Sequence, residues 1–214
     1  VGTPKKKEDW AKTPIFAKLN LKTGELSKTK MCYPDCFKED EDLNRQLYYA
    51  SFSYDTDGEN IACAFLENDS IYITKDFEHV KAIAAKSRYL EHLEPQPYRT
   101  QQNLADHARI SENIPRYWSL IYDKYRKVWY RFVFHKNEMP KEQDPFEYTI
   151  PQLKFSIMIL DKDFNIIGET VMPANTYAYR MWFVGKKGLY LSMNNVKNPI
   201  FSEDQLIFQC LELK

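Results

Sequence analysis

The stretch "SIYITKDFEHV", residues 70–80, alternates apolar and polar residues into Lys-Asp-Phe and then resumes an apolar run. The chain repeats itself at "SIMILDKDFNII", residues 156–167, so that Lys75-Asp76-Phe77 and Lys162-Asp163-Phe164 stand at the same point of two similar segments. Period-two alternation on both sides of a polar corner marks an antiparallel strand pair. A chain that writes the same hairpin twice is built from repeated units.

Working outward, three more segments show two apolar-aromatic runs joined by a short polar turn. They are "YYASFSYDTDGENIACAFLEN" (48–68), "YWSLIYDKYRKVWYRFVFHKN" (117–137) and "TYAYRMWFVGKKGLYLSMNN" (176–195). Each reads as a β-hairpin. The Lys-Asp-Phe hairpins follow the first two, so 48–87 and 117–172 each predict a four-stranded meander. The span 176–214 predicts three strands, the last in "DQLIFQCLEL", and 14–31 predicts one hairpin with Thr23-Gly24 at its turn. Repeated four-stranded meanders predict an all-β chain, a β-propeller of antiparallel blades. In "VWYRFVF", Val128, Tyr130, Phe132 and Phe134 share one face, and Trp129, Arg131 and Val133 share the other. Both faces are largely apolar, as expected of a blade covered on each side by a neighbour rather than wetted on one.

Two longer connections interrupt the period, 88–116 and 135–152. The first contains "EPQP" and a stretch that reads as a short helix around Leu104, Ala108 and Ile110. In a propeller both insertions leave from the same rim, and loops on a rigid scaffold commonly carry recognition.

Composition excludes several classes of function. Thirty basic residues balance thirty acidic ones among 214, which gives no broad electrostatic grip on nucleic acid or an anionic membrane. No apolar run approaches the ~20 residues of a membrane helix. The opening "VGTPKKKEDW" carries no apolar leader and no initiator Met, as expected of a mature or truncated product.

The segments "WSLIYDKYRKVWYRFVFH" (118–135), "NDSIYITKDFEHVKAIAAKSRYL" (68–90) and "FSIMILDKDFNIIGE" (155–169) resemble the six-bladed, TolB-like β-propeller lipoproteins of Bacteroidetes, a family of unknown function. The resemblance is most specific at Tyr122-Asp123-Lys124-Tyr125-Arg126 and covers roughly Ile15 to Leu213. It implies a protein exported to the periplasm or the outer-membrane surface, held by a lipid anchor that this chain lacks. It supplies no catalytic residues. Six blades need about 300 residues, so the expectation is a C-terminal portion of about three and a half blades. Its open edges are then covered by the missing N-terminal propeller portion or by another chain.

Chemistry-bearing motifs are few. None of the four histidines has a second at i+3 or i+4, and no phosphate-cradling glycine motif or nucleophile elbow occurs. No metal, cofactor or catalytic set is expected. Asp55-Thr56-Asp57-Gly58 reads as a hairpin turn rather than a calcium loop, because strand "IACAF" stands where a ligating Glu would be. Cys32 and Cys36 in "CYPDC" leave two readings open, a local disulfide in an oxidising compartment or a pair of free thiols in a loop. The candidate ligand-binding residues are Arg116, Tyr117, Trp118, Tyr179 and Arg180 near the starts of first strands, with His135 at the end of a second strand. Rings beside guanidinium groups suit a carbohydrate or peptide ligand, and large rings there also suit packing between blades. The first functional reading is a non-catalytic envelope propeller serving as a binding or interaction scaffold. The alternative is a hydrolase or lyase acting on a glycan or peptide in the axial funnel, which would need two carboxylates or a His–carboxylate pair converging there.

Overall fold

A computed structural model of the chain describes residues 9, 12–34, 52–91, 93, 114–136 and 154–213. Tyr48, Cys36, His92, His107, the helix read around Leu104 and most of both long connections lie outside the described residues.

Strands β1 (Ala17–Leu19) and β2 (Leu26–Lys28) form a first, two-stranded sheet. The second sheet holds β3 (Phe52–Thr56), β4 (Ile61–Phe65), β5 (Ser70–Thr74) and β6 (Val80–Ala84) in sequence order. The third holds β7 (Arg116–Asp123), β8 (Val128–Phe134), β9 (Phe155–Leu160) and β10 (Ile166–Met172), again in order. The fourth holds β11 (Trp182–Val184), β12 (Leu189–Ser192) and β13 (Phe208–Leu211). Every pairing is antiparallel and joins neighbours in sequence. Among the described residues there is no α-helix, so the fold is all-β with four-stranded antiparallel sheets.

The two Lys-Asp-Phe corners are equivalent in backbone. Phe77 and Phe164 have φ of 63° and 65°, a left-handed conformation uncommon outside glycine. Polar side chains hold each corner. Asp76 accepts the amides of Glu78 and His79 at 2.8 and 2.9 Å, and Asp161 accepts those of Asp163 and Asn165 at the same distances. The His79 amide keeps the Asp76 carboxyl far below the usual carboxylate range, and the Asn165 side-chain amide lowers that of Asp161. Both phenyl rings are also packed. Phe164 stacks on Trp129 at 5.0 Å, and Phe77 meets Phe16 at 5.1 Å.

The sheets stack in chain order. Ile15 and Met31, flanking the first sheet, pack on Cys63 and Phe65 of the second. The opposite face of the second sheet, with Ala62, Ala64 and Ile71, meets Trp129, Val133, Met158 and Leu160 of the third. The other face of the third, with Tyr130, Phe132, Phe134 and Ile157, meets Leu189 and Leu191 of the fourth, together with Tyr177 and Tyr179. Strand β8 is therefore buried at all seven positions. Small alanines on the second sheet face the largest side chains of the third, which allows close approach.

First strands also touch directly. The Ser53 hydroxyl accepts the Leu120 amide at 2.9 Å, and the Asp55 carboxylate accepts that of Tyr122 at 2.8 Å. Both contacts follow a break in the β7–β8 register between Tyr117 and Leu120. Because β7 is the edge strand of its sheet, its amides that do not pair with β8 are free to bond the neighbouring sheet.

Gly188 shows how tightly the fourth sheet is drawn. A Cβ there would stand 2.2 Å from the Leu211 carbonyl oxygen, in backbone that cannot swing aside. Gly188→Ala is expected to cost about 2 kcal/mol in denaturant unfolding. Gly168→Ala, whose nearest neighbour is the Ile159 Cδ1 at 3.6 Å, is expected to change stability by less than about 0.5 kcal/mol.

Candidate functional site

Arg116 pairs with Phe134, and Phe134 with Phe155. The two long connections therefore enter and leave the third sheet at one end, and the short turns at 124–127 and 161–165 lie at the other. Two side-chain clusters sit at the loop-bearing end, on opposite faces of this sheet.

The cluster facing the fourth sheet is aromatic and cationic. The half-buried Trp118 indole meets Phe134 and Tyr179 edge-on, at 5.8 and 5.9 Å. Two guanidinium groups flank it, Arg116 at 5.7 Å and Arg180 at 5.6 Å from the ring centroid. Arg116 is buried over Phe134 and donates to the Ile114 carbonyl. Arg180 is exposed, and its Nε donates to the Tyr179 hydroxyl at 3.0 Å. Arg116 and Trp118 share a face because they are two residues apart on one strand. The chain thus gathers Arg116, Trp118, Tyr179 and Arg180, all four proposed from sequence, into one group. A polarised ring face beside an exposed cation can stack a flat ligand and donate to an anionic or hydroxyl-rich one.

Tyr117 turns the other way and is closed off from water between the second and third sheets. Its ring lies 3.4 Å from the Arg131 guanidinium carbon, and its hydroxyl donates to Asp69 and accepts the Ser87 amide. Arg131 is fully buried. Nη1 donates to the carbonyls of Asp69 and Ala85, and Nη2 to those of Asn68 and Phe65. Burial pushes the guanidinium down to about 10, which still leaves it charged at neutral pH.

Beside it runs a polar chain that sequence reading missed apart from His135. The Glu169 carboxylate, whose side chain is 1% exposed, accepts the Ser87 hydroxyl, the Arg88 amide and the Ser156 hydroxyl. His135 Nε2 lies 3.0 Å from the Ser156 oxygen, and the ring stacks on Tyr89 at 4.9 Å. Burial lowers the His135 pKa below its ordinary value. The Ser156 proton is directed at Glu169, so the His135 nitrogen donates to Ser156. An activated nucleophile would instead give its proton to the histidine and would face a substrate. Ser156 is fully buried, so this His–Ser–carboxylate chain joins two sheets rather than activating a hydroxyl.

At the opposite end, Asp123 is fully buried and accepts the Tyr125 and Arg126 amides, the Arg126 Nε and the Tyr130 hydroxyl. Arg126 then donates to the Gly185 and Lys186 carbonyls in the β11–β12 turn. The segment most specific in the family resemblance is thus a clamp between the third and fourth sheets. Among the described residues no group of three or more His, Cys, Asp or Glu is placed to hold a metal ion. Cys32 is half-buried beside the Pro14–Cys32 bridge, and its partner in sequence, Cys36, lies outside the described residues.

Residues 1–171 match the family model described as "Domain of unknown function (DUF4221)". A crystal structure of a DUF4221 member from Bacteroides vulgatus is 37% identical, with a TM-score of 0.83. The likeness covers 98% of this chain and 57% of that one, so the chain spans little more than half the length of that relative. No curated protein matches the chain.

Two measurements check the polar junction. Arg131→Ala removes a cation that satisfies four carbonyl oxygens and leaves them buried, and the expected loss is about 3–5 kcal/mol by denaturant unfolding. His135 titrates lower in the folded state than in the unfolded, so the unfolded chain binds more protons as pH falls. Its contribution to stability is complete above the ordinary histidine value of 6.5 and is lost below it. The melting temperature should therefore drop between pH 7.5 and pH 5.5, and by less in His135→Gln.

Proposed function

The chain belongs to the DUF4221 family, and from that premise we propose that it is part of a β-propeller that binds a ligand rather than transforming one. Serial stacking supports the propeller. Each sheet covers the next in chain order, and first strands β3 and β7 meet through Ser53 and Asp55. Sheets arranged this way fan about an axis lined by their first strands. The 57% span of the relative agrees with about three and a half blades of a six-bladed ring. Export to the bacterial envelope, with a lipid anchor outside this chain, follows from the family resemblance and belongs to the same proposal.

The observation that carries the binding role is Trp118 with the Arg116 and Arg180 guanidinium groups beside it at the loop-bearing end. The ligand it fits is a carbohydrate or a peptide, stacked on the indole and hydrogen-bonded by Arg180. A binding role is also favoured over hydrolysis by where the His–carboxylate pair falls. His135 and Glu169 belong to the junction with the second sheet, on the face away from the Trp118 group, and the buried Ser156 separates them. Tyr117 contributes as packing, and His135 as part of the junction.

Intrinsic tryptophan fluorescence during titration with acidic and neutral oligosaccharides and short peptides tests the reading. One class is expected to bind, with affinity at least ten-fold lower in Arg180→Ala at unchanged melting temperature and, read by calorimetry, in Trp118→Ala, which also loses packing on Phe134 and Tyr179. Affinity indifferent to both substitutions would place the site elsewhere. Turnover of the bound ligand would favour the hydrolase or lyase reading instead.

A further inference from the structure

We propose that the ligand of the Trp118 group carries a carboxylate, which Arg180 reads through the Nη1–Nη2 edge of its guanidinium while Tyr179 orients that edge. Arg180 is then a specificity-determining residue and Tyr179 a positioning one. This deepens the binding role proposed above, and rests on it, by narrowing the ligand to an acidic sugar or a peptide carboxylate.

Three observations point to a carboxylate. The first is how Arg180 is held. It stands in the turn that leads into β11, closed by the Met181 amide on the Ala178 carbonyl at 2.9 Å. Its Nε donates to the Tyr179 hydroxyl at 3.0 Å, and its guanidinium carbon lies 5.4 Å from the Tyr179 ring centroid and 5.6 Å from that of Trp118. The Tyr179 ring is buried and meets Phe134 edge-on at 4.5 Å, so packing fixes the hydroxyl that accepts Nε. A planar group with one donor committed has its remaining donors set in direction.

The second is what Arg180 leaves unspent. Among the described residues its Nη1 and Nη2 have no hydrogen-bond partner, and no carboxylate pairs with it. Other guanidinium groups are engaged. Arg126 and Arg131 give both Nη atoms to main-chain carbonyls, Arg116 gives Nη1 to Ile114, and Arg88 lies 3.6 Å from the Glu169 carboxylate. Arg180 keeps two parallel N–H groups, the arrangement that meets both oxygens of one carboxylate.

The third is the setting. Arg180 is exposed beside the half-buried indole, so an anion seated on it stands next to a ring that can stack the rest of the ligand. Acidic sugars and peptide C-termini both hold a carboxylate close to a stackable face. Arg180 is the exposed cation of the group, whereas Arg116 is buried over Phe134. One exposed cation balances the single charge of a carboxylate and leaves part of a phosphate's charge of nearly two unmet.

Matched probes test this by calorimetry: a galacturonic acid trimer against its methyl ester, and a tripeptide ending in tyrosine against its C-terminal amide. In one pair the acid is expected to bind about ten-fold or more tightly than its neutral counterpart. Arg180→Gln should bring that ratio close to one at unchanged melting temperature. Arg180→Lys, which keeps the charge without the fork, should keep only part of it. Tyr179→Phe leaves the ring packing in place and frees Nε, so the ratio should fall while the neutral probe binds as before. If acid and neutral probe bind equally and both weaken in Trp118→Ala, the carboxylate is overturned and the binding site stands. A preference that survives Arg180→Gln overturns the role of Arg180. Binding of none of the four probes overturns the proposal together with the reading it rests on.

Discussion

Arg131 carries its charge where no water reaches it, and the third sheet can keep it there only because the second sheet lies against it. A buried cation costs several kcal/mol unless its hydrogen bonds are met. Here the Nη1 and Nη2 donors point at the carbonyls of Phe65, Asn68, Asp69 and Ala85, the Tyr117 ring covers one face of the guanidinium, and only the buried Nε lacks a hydrogen-bond partner among the described residues. These carbonyls come from the end of β4, the β4–β5 turn and the residue after β6. One side chain thereby ties three segments of one sheet to the middle of the next. Apolar contact between Ala62, Ala64 and Trp129 supplies attraction without direction. The guanidinium supplies the direction, because its planar fork meets four oxygens in only one placement.

The same logic divides the two ends of the sheets. At the turn end, Asp123 and Arg126 bond the Gly185–Lys186 turn, so the third and fourth sheets cannot slide past one another. At the loop-bearing end the Trp118 group brings side chains of the third and fourth sheets together. The rings there meet edge-on and the Arg180 guanidinium lies over the indole, with the Arg180 side chain exposed to solvent.

Part of the candidate site was readable. Arg116 and Trp118 stand two apart on one strand, as do Tyr177 and Tyr179, and alternation places each pair on one face. By the same rule Tyr117 had to face away from Trp118, and its place in the Arg131 junction follows. Arg131 was conspicuous as the one charged residue in "VWYRFVF", yet the carbonyls it bonds are 46 to 66 residues away, which no side-chain pattern reveals. Glu169 reads as the polar position of an outer strand. Its burial arises because Ser87 and Arg88, 82 and 81 residues distant, close over it. Asp55 reads as a turn residue and in fact accepts the Tyr122 amide of the next sheet.

What the sequence determined alone is the strand order: alternation, polar corners and the doubled Lys-Asp-Phe signal are local, and most paired strands are joined by short turns. Burial on both faces of β8 was likewise written into its seven residues, because a strand without a polar face must be covered twice. Tertiary structure decided which groups meet across the sheets. The Arg131 carbonyl cage, the Glu169 junction and the Trp118 group each join side chains or backbone from separate meanders. Their contacts depend on the distance and rotation between stacked sheets, quantities set by how side chains interlock and not by the order in which they occur.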